Sequence, residues 1–341
     1  MTGPEAADTA APSALRRAQP PGVPELPKVE MALCPPKQPG VGVVVSSQIC
    51  TASRKSAGFV RHVSIDVSGT PMAGHFRPGQ SFGILAPGTD ERGRPHAQRL
   101  YSIASPTRGE RAEGKRPGDV IATTVKRTID EHWETHRLFL GVASNYLCDL
   151  QVGDEVRITG PHGKRFLLPA VPQNHDYVFF ATGTGIAPFR GMIYDLLEQG
   201  PSHSPDSRIW LVMGSPYATD LLYHDEFLRL AEEHPNFRYL TALSREHQTD
   251  AHTKMYVQDR LETHRDEIAP LLSSERALLY ICGVAGMEIG IFQKLGLLLS
   301  PPALEQYLTV DPTIAEDVLR WDRSMLNKQV RPTRRVFLEV Y

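Results

Sequence analysis

The chain has 341 residues, which is enough for two domains of ordinary size. Hydrophobic residues make up 41% and charged residues 22%, so collagen-like, coiled-coil and wholly disordered classes are excluded. The net charge of −2 gives no support for nucleic-acid binding.

Several features of the sequence bear on the compartment. No apolar run reaches the ~18 residues that a transmembrane helix needs, and the first residues lack the pattern of a secretory signal. The four cysteines are Cys34, Cys50, Cys148 and Cys282. They are not paired as Cys-x-x-Cys, and their spacings suit neither a zinc site nor an iron–sulfur cluster. We therefore predict no metal, no disulfide framework and a cytoplasmic protein.

Residues 1–39 are rich in Ala and Pro and poor in aliphatic side chains. Prolines at this density leave no room for a useful helix, so the segment is predicted to be a flexible tail. A plastid transit peptide is the competing interpretation, but serine is scarce and acidic residues such as Glu5 and Asp8 are present.

Residues 40–170 contain many short, β-branched segments separated by Gly, Pro and Asp. This pattern is typical of an antiparallel barrel or sandwich. The predicted strands are 41–45, 59–65, 81–85, 100–103, 120–125 and 155–158. Residues 145–150 are predicted to form one short helix within this domain.

From about residue 171 the pattern alternates between strand and helix, which predicts a doubly wound parallel sheet over residues 171–341. The predicted strands are 177–182, 209–213, 237–243, 277–281 and 335–341, and the predicted helices are 186–197, 225–233, 255–262 and 288–299. The fold class is therefore all-β plus α/β, with a barrel followed by a doubly wound domain.

A glycine turn joins the first strand of this second domain to its helix. Gly183-Thr-Gly-Ile-Ala-Pro188 follows the apolar strand directly. Glycines allow close approach of a phosphate, and a helix start offers free N–H groups. This turn indicates a dinucleotide pyrophosphate site.

A second polar loop follows the strand that ends at residue 243. Ser244, Arg245 and Lys254 supply hydroxyl and cationic donors of the kind that a ribose 2′-phosphate requires. Tyr256 is placed to stack on an adenine. The loop therefore predicts NADP over NAD, although each cation taken alone is more typical of an ordinary surface.

Two segments of the barrel suit a flavin. Arg99-Leu-Tyr101-Ser102 combines a cation, an aromatic plane and a hydroxyl at a strand end, and Gly141-Val-Ala-Ser144 places glycine and serine at a helix start. Arg can bind phosphate, and Tyr can cover an isoalloxazine ring. Each segment taken alone is also compatible with a structural role.

Ten ordered motifs together make the chain resemble the plant-type ferredoxin–NADP(+) reductases. They run from Arg99-Leu-Tyr-Ser102 to the terminal Val336-Phe-Leu-Glu-Val-Tyr341, and include Thr182-Gly-Thr-Gly-Ile-Ala-Pro-Phe-Arg190 and Ile281-Cys-Gly283. The resemblance covers residues 40–341. It implies an FAD-binding barrel over 40–170 and an NADP(H)-binding domain over 171–341.

The resemblance also implies the site residues. Ser102, Cys282, Glu339 and Tyr341 would be catalytic, with Tyr101 and Tyr341 covering opposite faces of the flavin. Cofactor contacts are implied at Arg99, Leu100, Tyr101, Ser102, Thr124, Val125, Lys126, Gly141, Val142, Ala143, Ser144, Thr184, Ser215, Pro216, Ser244, Arg245, Lys254, Tyr256, Gln258, Gly283, Val284 and Tyr341.

The chain departs from the family pattern at two positions. Ala143 stands where the family usually has a cysteine, and Asp130 stands where it usually has the tyrosine that stacks on the FAD adenine. Trp133 or His132 is the predicted replacement for that tyrosine, and the alternative is an adenine that the chain holds more loosely.

The resemblance predicts an enzyme that exchanges electrons between NADP(H) and a one-electron carrier such as ferredoxin or flavodoxin, through hydride transfer between nicotinamide and flavin N5. The barrel segment 41–170 carries 17 basic and 12 acidic residues, which favours an acidic carrier. The alternatives are the reductase component of an oxygenase system, an NADPH-dependent reductase of quinones or other small molecules, and a non-enzymatic flavin-binding protein.

Overall fold

The computed structural model describes residues 23–51, 59–198, 200–248 and 253–341. Residues 1–22 of the predicted tail lie outside this part. Residues 25–34, by contrast, are joined to the body of the protein: the Cys34 and Ala32 N–H groups donate to Gly160 and Pro161, and Ala170 donates to the Glu25 carbonyl. The prediction of a flexible tail is therefore wrong for this stretch, which pairs with the barrel through main-chain bonds that composition does not reveal.

The first domain is built on a six-stranded antiparallel sheet, with strand order β4-β3-β8-β1-β2-β5. Its strands are β1 (Gly40–Ile49), β2 (Val60–Asp66), β3 (Ser81–Ile84), β4 (Arg99–Ser102), β5 (Val120–Lys126) and β8 (Glu155–His162). The two edge strands meet where the Ala104 N–H donates to the Ala122 carbonyl at 2.7 Å. The sheet thereby curls into the predicted barrel.

A small hairpin and a helix extend from the barrel between β5 and β8. The hairpin consists of β6 (Ile129–Glu131) and β7 (Leu138–Leu140), and the helix is α1 (Val142–Asp149). The helix starts at Val142, three residues before the predicted start at residue 145. Alternating apolar side chains of the strands fill the barrel interior, among them Val63, Ile65 and Phe82.

The second domain is a parallel sheet with strand order β11-β10-β9-β12-β15. Its strands are β9 (Asp176–Thr182), β10 (Ile209–Ser215), β11 (Phe237–Leu243), β12 (Ala277–Gly283) and β15 (Val336–Val340). Two apolar cores lie on opposite faces of this sheet and are covered by helices, as expected for a parallel sheet. The fold predicted from the sequence is confirmed.

The helices of the second domain are α2 (Ile186–Leu197), α3 (His224–Glu233), α4 (Arg260–Thr263), α5 (Arg265–Leu272), α6 (Met287–Leu298) and α7 (Pro301–Leu304). A two-stranded hairpin, β13 (Leu308–Val310) with β14 (Val330–Pro332), precedes β15. The predicted helix over 255–262 is confirmed in part: residues Val257–Asp259 form a 3₁₀ turn, and α4 follows. Its first two residues are not helical, because the Met255 N–H donates to the Leu243 carbonyl.

Within the described ranges, the structure contains no helix that is both long and apolar enough to cross a membrane.

Candidate active site

The glycine turn lies at the carboxyl edge of the parallel sheet. Strand β9 ends at Thr182, Gly183–Gly185 form a 3₁₀ turn, and α2 follows. Gly183 adopts φ +53°, and a Cβ on Gly185 would lie 2.3 Å from the Cys282 carbonyl oxygen. Both positions therefore need glycine, and the turn packs directly against the end of β12.

The carboxyl terminus folds onto this turn. The Tyr341 N–H donates to the Gly283 carbonyl, and the Tyr341 carbonyl accepts from the Ala285 N–H, both at 3.0 Å. The Tyr341 hydroxyl lies 2.6 Å from Thr184 Oγ1, while 66% of the residue is exposed. The terminal ring is therefore positioned at the sheet edge by one side-chain contact and remains open to solvent.

Cys282 and Glu339 lie side by side on neighbouring strands. They are paired in the parallel register of β12 and β15, about 4.8 Å apart between strands. Burial, together with the charge of Glu339, raises the pKa of the Cys282 thiol, so this group stays protonated at neutral pH. Burial of the carboxyl raises the pKa of Glu339 to about 7, although the residue as a whole is exposed at the edge of the site.

The loops after β10 and β11 are joined by main-chain hydrogen bonds. The Ser244 N–H donates to the Ser215 carbonyl and the Arg245 N–H to the Pro216 carbonyl, both at 3.0 Å. The Arg245 guanidinium lies over the Tyr217 ring at 5.9 Å and is exposed. Two of the predicted donors to a 2′-phosphate, Ser244 and Arg245, therefore lie beside Ser215 and Pro216, although Ser215 is buried and its hydroxyl donates to the Asp220 carbonyl.

The remaining predicted residues of the second domain frame the same edge. Lys254 and Tyr256 are exposed, the latter to 64%. Gln258 lies against α6, where a Cβ on Gly290 would be 3.0 Å from its side chain. The Val284 N–H donates to Thr182 Oγ1 at 2.9 Å, which fixes the loop after Gly283.

The predicted flavin segment of the barrel presents apolar and polar groups together. On β4, Arg99 and Leu100 are exposed, and Leu100 keeps 55% of its surface open. Tyr101 packs partly against the barrel core, and burial raises its pKa to about 12. The Ser102 carbonyl accepts from Thr123 Oγ1 at 2.9 Å. The strand thus offers an aromatic plane beside a cation at the surface.

The start of α1 fits a phosphate group. In the described part of the chain no side chain caps this helix, and its first turn carries no acid. A Cβ on Gly141 would lie 2.6 Å from Ser144 Oγ and 2.8 Å from Thr128 Cβ, so only glycine leaves this cradle open. Uncapped N–H groups at a helix start attract anions. The residues present therefore fit a flavin dinucleotide.

The two departures from the family pattern have different consequences. Ala143 is buried, at 5% exposure, so the missing cysteine is replaced by a small core residue. Asp130 is exposed on β6 and cannot stack on a base.

Three further residues predicted to contact the cofactor differ in exposure. Val125 is buried and Lys126 is exposed at the end of β5, while Val142 is exposed at the start of α1.

A buried ion-pair network that the sequence did not predict joins the two domains. Arg190 of α2 is 9% exposed. Its guanidinium donates to Glu110 of the barrel at 2.5 Å, to Glu226 of α3 at 2.8 Å and to the Ala104 carbonyl at 3.2 Å. Ala104 lies two residues after Ser102, so the network fixes the end of β4 against the second domain.

A second contact between the domains involves Tyr223. Its hydroxyl lies 2.5 Å from Thr124 Oγ1 and 2.9 Å from His62 Nδ1, and Tyr223 itself adopts φ +57°. The Thr124 hydroxyl, predicted to contact the cofactor, is thus engaged with the second domain. Burial, together with the charge of Arg190, lowers the pKa of His62 to about 3. Nothing in the sequence indicated these partners of Tyr223.

The chain is similar to known proteins over most of its length. Residues 179–292 match the model of the oxidoreductase NAD-binding domain. The chain is 40% identical over 258 residues to the ferredoxin–NADP reductase of a Spirulina species, an alignment that covers 75% of this chain and 85% of the relative. It is 38% identical to leaf isozyme 1 of Oryza sativa subsp. indica, a chloroplastic ferredoxin–NADP reductase, over 75% of this chain and 68% of the relative. The 40% match to the Thermosynechococcus vestitus reductase also covers 75% of this chain but 65% of the relative, less than two thirds of its length.

Solved structures share the fold. The ferredoxin–NADP+ reductase of Plasmodium falciparum superposes with a TM-score of 0.62 at 23% identity, covering 90% of this chain and 97% of that one. Both halves of the fold thus have a counterpart in one solved protein. Its sequence identity to these relatives shows that the chain belongs to the ferredoxin–NADP reductase family of FAD-dependent, NADP(H)-using oxidoreductases.

Proposed function

We propose that this chain transfers electrons between NADP(H) and an acidic one-electron carrier protein such as ferredoxin or flavodoxin. In this scheme residues 40–170 are the FAD-binding domain and residues 171–341 the NADP(H)-binding domain. The observation that carries the proposal is the convergence of Thr184, Cys282, Glu339 and Tyr341 at the carboxyl edge of the parallel sheet, the place where doubly wound folds bind their ligands.

The barrel would hold FAD through residues that are already exposed or uncapped. Arg99 and the start of α1 suit the pyrophosphate, and Tyr101 provides a plane for one face of the flavin. FAD, when bound, supplies the chemistry that converts a two-electron hydride transfer into single-electron steps. The chain itself contributes orientation of the ring and exclusion of water from it.

The terminal tyrosine would occupy the face at which the nicotinamide must arrive. Its ring is held only by the contact with Thr184, whereas bonds to Gly283 and Ala285 hold its main chain, so the side chain can leave while the terminal main chain stays paired. Remote binding energy from the 2′-phosphate end of the cofactor can drive that movement. Tyr341 would therefore gate the site.

Cys282 and Glu339 would complete the polar surroundings of the nicotinamide. The thiol, kept protonated by its raised pKa, would supply a small neutral group and a weak S–H donor beside the nicotinamide. The Glu339 carboxyl, with its pKa near 7, can hold or release a proton at neutral pH. Ser102 lies across the domain boundary, and we assign its hydroxyl to the flavin side of the same site.

Selection of NADP(H) would depend on the loops after β10 and β11. Ser244, Arg245 and Lys254 would bind the 2′-phosphate, with Tyr256 against the adenine. Pro216 and Gln258 would line the same surface, and the buried Ser215 would support the loop from below. The joined main chains of these loops hold the donors in place before the cofactor arrives. Charge-assisted hydrogen bonds to a phosphate justify a strong preference over NAD(H).

The carrier protein would dock on the basic barrel, whose residues 41–170 carry a net charge of +5. Stopped-flow measurement of electron transfer to an acidic ferredoxin or flavodoxin across a salt series tests this assignment. We expect the association rate to fall steeply as ionic strength rises, because rim charges act mainly on the rate of encounter. A rate that stays constant from low to high salt would refute the docking surface.

We also propose a cytoplasmic location. All four cysteines are free in the structure, which suits a reducing compartment. Fractionation of the source cells, with the full chain followed by immunoblot, tests the assignment. Recovery of a shortened chain from an organelle would contradict it.

A further inference from the structure

The hairpin β6–β7 carries an unusual concentration of exposed apolar side chains. Ile129, Leu138, Phe139 and Leu140 are each between 54% and 64% exposed. The hairpin ends at Gly141, the start of α1 and the phosphate cradle described above. Ile129, Leu138 and Leu140 project from one face of the hairpin and Phe139 from the other. Exposed apolar side chains next to a proposed phosphate site indicate a binding surface.

The strand register identifies which side chain shares a face with Asp130. In the antiparallel pairing, Asp130 lies opposite Phe139, whereas Ile129 lies opposite Leu140 and Glu131 opposite Leu138. Directly opposed residues of an antiparallel pair project from the same face. Phe139 is therefore the aromatic ring on the face from which Asp130 projects.

Distance along the hairpin favours the same residue. Phe139 lies two residues from Gly141, which corresponds to about 7 Å along a strand. That length matches the reach of an adenosine from its phosphate to its base. A nucleotide with its pyrophosphate at the start of α1 can thus place its adenine on the Phe139 ring.

The two side chains predicted from the sequence are less suitable. His132 Nδ1 lies 3.3 Å from the N–H groups of Glu134 and Thr135, so this ring closes the hairpin turn. Trp133 lies beyond the last paired residues, at 80% exposure. Its position is about five residues along the hairpin from Gly141, or roughly 17 Å, which exceeds the reach of one adenosine.

We propose that Phe139 is the residue on which the adenine of FAD stacks, replacing from the opposite strand the aromatic ring that is missing at position 130. This inference rests on the proposed function, because it assumes that the barrel binds FAD. The ring acts on binding of the cofactor and has no part in hydride transfer.

The test is the affinity of the purified holoprotein for FAD, measured from flavin released on dilution. Phe139→Ala should weaken binding on the order of tenfold, since base–aromatic stacking is of that size. Phe139→Tyr and Phe139→Trp should stay close to the parent, while Phe139→Leu, apolar but not aromatic, should resemble the alanine variant. Because the side chain is exposed, the far-UV spectrum should not change in any of the four, and the unfolding temperature in excess FAD should fall only in Phe139→Ala and Phe139→Leu, by the amount that weaker FAD binding accounts for.

Trp133→Ala is the matched control and should bind FAD as the parent does. If Trp133→Ala weakens binding tenfold and Phe139→Ala does not, Trp133 is the stacking residue and the inference is wrong. If neither change affects binding, the hairpin takes no part and the inference is also wrong. A parent protein that binds no FAD would instead contradict the proposed function itself.

Discussion

Replacement of Arg190 by methionine tests the physical basis of the contact between the domains. The change keeps much of the apolar stem of the side chain and removes the guanidinium. Glu110 and Glu226 are then left without their partner, at 16% and 21% side-chain exposure. Removing one member of a buried ion pair costs about 3–5 kcal/mol, because the remaining charge stays buried and uncompensated.

The free energy of unfolding lost on Arg190→Met should depend on pH, through the pKa of Glu110. Burial already raises the pKa of Glu110, and the charge of Arg190 opposes that shift. Without Arg190 the folded-state pKa of Glu110 rises further above its unfolded value. A carboxyl whose pKa is higher in the folded state lowers stability as pH rises from its unfolded pKa to its folded pKa. The free energy of unfolding lost on Arg190→Met should therefore be larger near pH 8 than near pH 5.

Urea unfolding followed by circular dichroism, with FAD in excess, measures the effect. Glu110→Gln in the Arg190→Met background should restore part of the lost free energy, because it removes a buried charge. Arg229→Met is the matched control: its ion pair with Glu233 is about half exposed on each side, and its loss should cost less than about 1 kcal/mol. Equal losses for Arg190→Met and Arg229→Met, independent of pH, would refute the reasoning.

Three further predictions concern His62, the pair Arg245 and Lys254, and Tyr341. His62, with a pKa of about 3 when folded and about 6.5 when unfolded, should make stability fall as pH drops below 6.5, by at most about 1.4 kcal/mol per pH unit. His62→Gln should flatten this part of the urea-unfolding profile, and an unchanged slope would exclude His62 as its source. Arg245→Ala with Lys254→Ala should lower kcat/KM for NADPH on the order of a hundredfold while leaving NADH nearly unchanged. Equal losses with both cofactors would disprove the 2′-phosphate site. Tyr341→Ser should bind NADP more tightly, discriminate less against NAD and turn over more slowly, with FAD retained. Parent-like binding and discrimination in titrations would remove its gating role.

Much of the fold could be predicted because its signals are local. The strand ending at Thr182 and the glycine turn after it are contiguous in sequence, and their pattern alone indicates a strand, a tight turn and a helix. The resemblance assigned both Tyr341 and Thr184 to the cofactor site, but it did not predict their contact with each other.

The contacts between the domains could not be predicted in the same way. Arg190 and Glu110 are separated by 80 residues, and no periodicity links them. Either residue alone is typical of a solvated surface, and only the packing of α2 against the barrel gives them their burial. The position of Phe139 opposite Asp130 likewise depends on strand register, which a short, exposed hairpin leaves weakly specified.

The most direct test of the proposed function is the yield of reduced ferredoxin from NADPH by the purified yellow protein, measured by absorbance under anaerobic conditions. Because a hydride carries two electrons, the account predicts two molecules of ferredoxin reduced for each NADPH consumed, with little reaction from NADH. NADPH oxidation that is unaffected by ferredoxin or flavodoxin and depends only on added quinones would contradict it.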